Sequence, residues 1–174
     1  MPTHAERRVV PYTPEQMYAL VADIERYPAF LPWCLDVKTR HRDGNILTAD
    51  MMIGFKALRE RFSTRVTLLP PVLPPVLPSA PPPGRIQVEY LNGPFHHLNN
   101  HWVFHPHAKG CEVEFYIDFA FRSKILRVLI GALFNEAVRI MVRAFETRAR
   151  KLYGRAGSGA TTSSPPAGTA APRP

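Results

Sequence analysis

ERYPAFLPWCL, residues 25–35, interrupts a helical pattern with two prolines, Pro28 and Pro32. Each proline lacks an amide donor and clashes with the turn before it, so this tract cannot continue a regular helix. The tract places three aromatic side chains on a stiff break between elements: Tyr27, Phe30 and Trp33. We expect this break to form the rim of an apolar pocket or a plug that closes the core.

The segment before the break predicts a short strand over residues 6–11 followed by an amphipathic helix. Thr13 has the side chain of an N-cap, Pro14 suits the first helical position, and Gln16 follows at the third. The apolar stripe of this helix has helical spacing: Met17, Leu20, Val21 and Ile24.

The segment after the break predicts a series of strands and then one long helix. The strands are expected at residues 37–42, 46–55, 58–69, 85–91, 98–105 and 111–121, and the helix at 123–153. Asp43-Gly44 predicts a tight hairpin turn, and the last strand alternates apolar and polar residues. Strands in series pair antiparallel, so the fold class is α+β. We expect a curved antiparallel sheet wrapped around the long C-terminal helix, with a space between them that either side chains or a hydrophobic ligand fills.

Length and composition predict one domain with two additions. The chain has 174 residues, of which 45% are hydrophobic, and its 19 prolines are concentrated in two segments. We expect the domain to span residues 1–153, with a proline-rich loop insertion at 70–84 and a disordered low-complexity tail at 154–174.

Localisation is predicted from what the sequence does not contain. The first ten residues lack the apolar run of a secretory signal, and no stretch has the ~18 apolar residues that a membrane span requires. Cys34 and Cys111 sit among apolar residues, which favours buried thiols, with a disulfide between them as the alternative. We therefore expect a cytoplasmic protein.

The C-terminal helix carries much of the positive charge. Residues 122–153 contain eight basic and two acidic side chains in a chain whose net charge is +8. Such a helix favours an anionic membrane surface or RNA as a partner. The alternative is an ordinary solvated face, formed by Arg139, Arg143, Glu146 and Arg150.

The two halves of this helix differ in their apolar pattern. Residues 125–134 are apolar nearly all round, which indicates burial on several sides or contact with lipid, a ligand or a partner. The second half has a core stripe predicted as Phe134, Val138, Met141, Phe145 and Leu152. Arg127 lies near this stripe, so it either binds a polar ligand headgroup or extends to the surface. At the 54–58 hairpin tip, Phe55 and Leu58 form either a membrane-touching lip or part of the core.

Catalytic and metal-binding motifs are not found in the sequence. There is no G-x-S-x-G elbow, P-loop or dinucleotide fingerprint. Five histidines lie between residues 96 and 107, but strand positions four apart are separated by ~13 Å, which argues against a shared metal ion. Several acidic residues are expected on the outer face of the sheet: Glu60, Glu89, Glu112, Glu114 and Asp118.

Several tracts resemble the coenzyme Q-binding START-domain family, also called polyketide-cyclase-like, which includes ribosome-association toxin proteins. These tracts are VADIERYPAFLPWC at 21–34, GFKALRERFSTRV at 54–66, GPF at 93–95, Trp102 with Phe104, and AFETRARKLYG at 144–154. The resemblance implies a helix-grip fold and non-enzymatic binding of ubiquinone between sheet and helix, in support of respiration. It also implies a bacterial protein, for which peripheral contact with an anionic inner membrane is a further option. The toxin relatives imply the alternative of a ribosome-associated regulator that acts through the basic helix, and a cyclase-type enzyme ranks last because no acid–base pair is identified.

The ligand-binding residues are predicted from the aromatic and apolar positions of these elements. They are Phe30, Leu31, Trp33, Phe62, Phe95, Trp102, Phe104, Phe115, Phe119, Arg127, Leu133 and Phe134. No catalytic residue, metal or resident cofactor is predicted, and an isoprenoid quinone is the expected ligand.

Overall fold

Seven antiparallel strands form one sheet in the computed structural model, which describes residues 3–55, 57–72 and 83–154. The strands are β1 Thr3–Val10, β2 Cys34–Asp43, β3 Ile46–Phe55, β4 Leu58–Leu69, β5 Gly84–Asn92, β6 Phe95–His107 and β7 Gly110–Phe121. Two α-helices, α1 Pro14–Ala22 and α2 Lys124–Tyr153, and a short 3-10 helix, Ile24–Ala29, complete the described fold. The sheet order is β1-β7-β6-β5-β4-β3-β2. The predicted α+β helix-grip fold is confirmed.

The start of α1 is fixed by a reciprocal pair of hydrogen bonds. The Thr13 hydroxyl accepts from the Gln16 amide at 3.1 Å, and the Gln16 side-chain oxygen accepts from the Thr13 amide at 3.0 Å. This capping box satisfies two amide donors that the first helical turn leaves unpaired. After α1, the proline tract forms the 3-10 helix with Pro28 inside it, and the Tyr27 hydroxyl donates to the carbonyl of Val21. The expected break in the α-helix is therefore a tighter helical turn.

The sheet is curved by local irregularities in strand pairing. The register shifts within β2, at the β4–β5 pair and at the start of β6, and such bulges bend a strand and increase its twist. The β2–β3 hairpin turns at Gly44, whose φ of 57° lies in the left-handed region that glycine adopts without strain. Both helices lie against the same face of the sheet, as contacts from Tyr18 and Phe145 to the β6 side chains show.

The C-terminal end of α2 is attached to the rest of the domain by polar contacts. Arg8 of β1 donates to Glu146 at 2.6 Å, and the Tyr153 hydroxyl donates to the Gln16 carbonyl at 2.9 Å. The predicted core stripe was wrong at Leu152, which is 47% exposed, whereas Ala149 is buried. The last turn of α2 packs back onto the domain through Tyr153, and this leaves Leu152 in solvent.

The remaining predictions concern the cysteines, membrane-spanning helices and the two proline-rich segments, and the structure tests some of them. Both cysteines are free and buried, so the disulfide alternative was wrong. The described helices contain none that combines the length and the apolar character needed to cross a bilayer. Lys56, most of the proline-rich insertion (73–82) and the tail from 155 to 174 lie outside the described residues.

Candidate functional site

An apolar groove of about 300 Å³ lies between the sheet and residues 126–141 of α2, chiefly the first half of that helix. Its sheet wall is formed by strands β3, β4, β6 and β7, chiefly through Ile53, Phe62, Phe95, Leu98, Ile117 and Phe119. Its helix wall comes from successive turns of α2, chiefly through Leu126, Ile130, Leu133, Phe134, Ala137 and Met141. Trp33, just before β2, and Phe55 and Leu58, at the β3–β4 hairpin, also line it. The volume is at the lower end of the range for small-molecule pockets.

The groove ends where aromatic rings fill the space beneath the second half of α2. The Phe145 ring lies 5.6 Å from the Tyr27 ring, 5.2 Å from Phe30 and 5.2 Å from Trp102, measured between centroids. These rings meet edge to face or tilted, the arrangements that aromatic pairs favour. The proline tract thus acts as a plug at this end, while Trp33 alone from its aromatic set reaches the groove.

Phe95 forms the floor of the groove. Its ring stacks on Phe121 at 4.6 Å and meets Phe62 edge to face at 5.2 Å. The preceding Gly93 has a φ of 142°, and a Cβ there would overlap Phe62, so only glycine permits this close turn. The Phe95 ring is 2% exposed, which makes it a fixed support for neighbouring lining residues.

The structure brings half of the predicted site residues to the groove. Those that line it are Trp33, Phe62, Phe95, Phe119, Leu133 and Phe134. Five others do not line it: Phe30, Leu31, Trp102 and Phe104 belong to the packed core around Phe145, and the Phe115 ring packs on Trp102 at 4.5 Å between centroids. The sequence could not separate these two groups, because each combines residues of the proline tract with residues that alternate on the inner face of the sheet.

Arg127 is also placed away from the groove. Its side chain is exposed, while the adjacent Leu126 is buried and lines the groove. Because neighbouring helical residues point about 100° apart, the helix directs the leucine inward and leaves the guanidinium in solvent. Of the two options for Arg127, the structure favours extension to the surface.

Glu60 was assigned to the wrong face of the sheet. It pairs with Ile53 in the β3–β4 register, and both residues line the groove. On β4 the even-numbered positions Phe62 and Thr64 are buried, and Glu60 shares their face. Glu60 makes no hydrogen bond or ion pair with the part of the chain that the structure describes. The alternation of β4 indicated the face of Glu60, because residues two apart on a strand point to the same side and Phe62 is buried.

The aliphatic part of the lining was also missed by the sequence analysis. Ile53, Leu98, Ile117, Leu126, Ile130 and Met141 line the groove but were not named as ligand-binding residues. The helical spacing of Leu126, Ile130 and Leu133 was visible in the sequence as one stripe. The all-round apolar pattern of that segment concealed which side faces the sheet.

A polar network closes the edge between β1 and α2 next to the groove. The His4 ring nitrogen Nε2 lies 3.0 Å from the Glu6 carboxylate, which also pairs with Arg8 at 2.8 Å. Burial raises the pKa of Glu6, but hydrogen bonds to His4 and Arg8 outweigh this and lower the pKa below its ordinary value. The His4 ring lies 6.4 Å from Phe134 but does not itself line the groove. The contacts of this network join the two elements.

Three histidines of β6, His97, His101 and His105, lie next to carboxylates on the outer face of the sheet. His97 lies 3.3 Å from Asp118, and His105 lies 3.2 Å from Glu114. Hydrogen bonding to His105 lowers the pKa of Glu114. Among residues 3–55, 57–72 and 83–154, no cluster of three or more potential ligands is arranged to hold a metal ion.

Comparison with known proteins identifies one family. Residues 10–146 match the family described as polyketide cyclase / dehydrase and lipid transport. A ribosome association toxin, RatA of Rickettsia prowazekii, is 33% identical over 145 residues, covering 83% of this chain and 94% of that protein. The mitochondrial coenzyme Q-binding protein COQ10 homolog B of Xenopus laevis is 30% identical over 157 residues, covering 87% of this chain and 59% of that protein.

Solved structures share the same architecture. The solution structure of the 18 kDa protein CC1736 from Caulobacter crescentus is 36% identical, with a TM-score of 0.66 over 89% of this chain and 100% of that one. The Zhui aromatase/cyclase from Streptomyces has a TM-score of 0.68 over 91% of this chain and 98% of that one. At 14% identity, the latter likeness concerns the fold alone.

Proposed function

This chain belongs to the polyketide cyclase / dehydrase and lipid transport family, and on that premise we propose that it binds an isoprenoid quinone, most specifically ubiquinone, in the groove beneath α2. The observation that carries the proposal is the groove itself, whose walls are almost entirely aliphatic and aromatic side chains. The name of the Xenopus relative supports a quinone as the ligand. In this role the protein is a quinone chaperone that supports respiratory electron transport.

The size of the groove defines how such a ligand is held. A volume of about 300 Å³ accommodates the ring or a few isoprenoid units, and the rest of a long tail stays outside. Burying a CH₂ group contributes about 0.8 kcal/mol, so one five-carbon unit contributes about 4 kcal/mol before the entropic cost of binding. Apolar burial is thus sufficient for affinity without a dense set of polar contacts.

Binding without catalysis is part of the proposal. The groove walls carry one inward carboxylate on the sheet, Glu60, and one at the helix margin, Glu136, which lies 3.8 Å from Arg139. No histidine lines the groove with them in the described part of the chain. The His4–Glu6 pair does not line the groove, and its carboxylate is held by Arg8, which also pairs with Glu146 of α2.

Extraction of copurified lipid tests this function. Protein purified from its native host is extracted with organic solvent, and the extract is analysed by mass spectrometry for quinones. We expect ubiquinone above the amount carried by an unrelated protein of the same net charge. Equal amounts of ubiquinone in both extracts would contradict the proposal that a quinone is the ligand.

A second candidate function is association with the ribosome. The relatives named RatA favour it, and so does a set of exposed cations on the second half of α2: Arg139, Arg143 and Arg150. An exposed arginine cluster contributes to RNA affinity through phosphate contacts, and that affinity falls steeply with salt.

Cosedimentation with ribosomal subunits tests this alternative. Charge reversal at Arg139, Arg143 and Arg150 is expected to abolish binding if the helix is the contact. The matched control reverses three exposed arginines of the sheet, Arg59, Arg61 and Arg85. Equal binding by both variants would argue against the helix as a ribosome contact.

A further inference from the structure

The first half of α2 exposes large apolar side chains to solvent. Ile125 is 78% exposed and Val128 is 76% exposed, the two highest values among the exposed large apolar side chains of the described residues. They lie three positions apart, so they share one side of the helix, with Ala132 exposed four positions further on. This outward face, formed by Ile125, Val128 and Ala132, is not explained by folding.

The same helical segment is apolar on its inner side, where it serves the groove. Leu126, Ile130 and Leu133 line the groove, while Ile125 and Val128 point to the opposite side. A surface helix normally has one apolar stripe towards the core and a polar face towards water. Residues 125–133 therefore have two apolar faces, one of which the domain leaves uncovered.

The charges at the N-terminal end of the outward face are all positive, and Glu136, one turn beyond Ala132, is paired with Arg139 at 3.8 Å. Arg122, Lys124 and Arg127 are exposed, and the first acidic residue along the chain from there is Glu136. None of the three forms an ion pair within the described residues; the Arg122 guanidinium donates instead to the Phe95 carbonyl at 2.9 Å.

These cations oppose the dipole of the helix that carries them. The N-terminal end of a helix is partially positive, so cations in the first turn destabilise it and anions would stabilise it. The first turn of α2 contains no acidic residue. An anionic surface next to these side chains would reverse this unfavourable electrostatic interaction.

We propose that the outward face of residues 124–132 docks on an anionic lipid bilayer, with Ile125 and Val128 inserted below the headgroups. Arg122, Lys124 and Arg127 then contact lipid phosphates. Apolar side chains bordered by cations are the pattern of a helix that lies in a membrane interface. This charge complementarity favours a bilayer over a second copy of the chain, which would bring identical cations together.

The docked position is consistent with the small groove. The proposal extends the carrier function, because a helix that contacts the bilayer and lines the groove leaves the excess isoprenoid tail next to lipid. Vesicle binding is nevertheless measurable with no quinone present. An experiment can therefore contradict the docking proposal without contradicting quinone binding, and the reverse.

Vesicle cosedimentation tests the docking. The full chain is mixed with vesicles of phosphatidylcholine alone or with added phosphatidylglycerol, and the bound fraction is measured. We expect binding to the anionic vesicles, decreasing about fivefold for each cation removed and falling with salt. The double variant Ile125→Glu with Val128→Glu is expected to reduce binding by more than tenfold.

Leu152→Glu is the matched control. Leu152 is also an exposed apolar residue on α2 but lies at the opposite end of the helix, so this variant should bind vesicles like the wild type. Circular dichroism and thermal unfolding confirm that each variant is folded. Quinone content after detergent extraction is measured in parallel. A loss of bound quinone would contradict the carrier function and not the docking.

Three outcomes would overturn the proposal. The first is wild-type protein that does not bind anionic vesicles. The second is equal vesicle binding by the double variant and by Leu152→Glu. The third is a wild-type protein that is a dimer by light scattering and does not bind vesicles, while the double variant is a monomer. This result would assign the outward face to a second copy of the chain. Vesicle binding that depends on Ile125 and Val128 supports the docking proposal.

Discussion

The ring of Phe145 packs edge to face against the ring of Phe30 at 5.2 Å, and this contact determines where the interior is solid and where it is open. Phe145 extends from the second half of α2 and Phe30 from the C-cap of the 3-10 helix. Together with neighbouring rings they occupy the space beneath the second half of the helix. The groove is what remains beneath the first half.

Removal of the Phe145 ring is expected to destabilise the fold strongly. Phe145 is 6% exposed, and truncation of such a ring to alanine costs about 3–5 kcal/mol through lost burial and the cavity left behind. Urea unfolding of Phe145→Ala measures this loss. Leu152→Ala, on the same helix but 47% exposed, should change the free energy of unfolding by less than about 0.5 kcal/mol. Equal effects would contradict the described packing of α2.

Filling the groove is expected to remove ligand without loss of stability. Ala137→Trp places an indole in space that the fold leaves empty, so the free energy of unfolding should change by less than about 1 kcal/mol. Copurified quinone should fall to the level of an unrelated protein. The control is Thr147→Trp, at an exposed position of α2 outside the groove lining, which should retain quinone. Full quinone content in Ala137→Trp would place the ligand elsewhere.

Replacement of Glu60 by leucine is expected to tighten binding of an apolar ligand. A carboxylate covered by a hydrophobic molecule loses water, and its removal should improve affinity by about 1 kcal/mol. Titration with a short-chain quinone measures the change. Glu89→Leu, on the outer face of β5, should have no effect. Weaker binding by Glu60→Leu would instead show that the carboxylate accepts a hydrogen bond from the ligand.

The stability contributed by Asp50 is expected to depend on pH. A hydrogen bond donated by the Ser63 hydroxyl at 2.7 Å, together with Arg40, lowers the pKa of the Asp50 carboxyl. Its contribution is therefore present above the unfolded-state pKa of about 4 and is lost as the pH falls through the folded-state pKa. Asp50→Asn should cost roughly 1–3 kcal/mol at neutral pH, and the difference from wild type should shrink in acid.

Urea unfolding across a pH series checks this expectation. Asp36→Asn is the control, because the Asp36 side chain is 45% exposed and its ion pair with Lys38 is long at 3.8 Å. A constant difference between Asp50→Asn and wild type down to acid pH would contradict the assigned role.

The two cysteines are expected to resist thiol reagents in the folded protein. Burial raises the pKa of Cys34 to about 11 and that of Cys111 to about 12, so the reactive thiolate is scarce at mildly alkaline pH. Neither should react with a disulfide reagent until urea unfolds the chain, after which both should react. Rapid labelling of native Cys34 would show that the proline tract opens.

Much of the secondary structure was predictable because local interactions specify it. The strand 58–69 was predicted with its observed ends, and the Thr13–Gln16 capping box is formed by residues only three apart. The period-two alternation of β7 indicated which face is buried through Phe119. Glu60 was misplaced although the same rule applied to it, because its charge was taken as a sign of exposure.

The sequence by itself determined the order of elements, the antiparallel sheet, the face of β7 that is buried, and the helix that covers it. Only the tertiary structure decided which apolar residues enclose empty space, because Trp102 and Phe119 have equivalent patterns, yet Trp102 packs against Phe145 and Phe119 lines the groove. It also decided which side of residues 125–134 is exposed, since a segment that is apolar all round contains no periodic signal. Periodicity specifies faces, whereas a groove depends on the volumes of side chains that are distant in the chain.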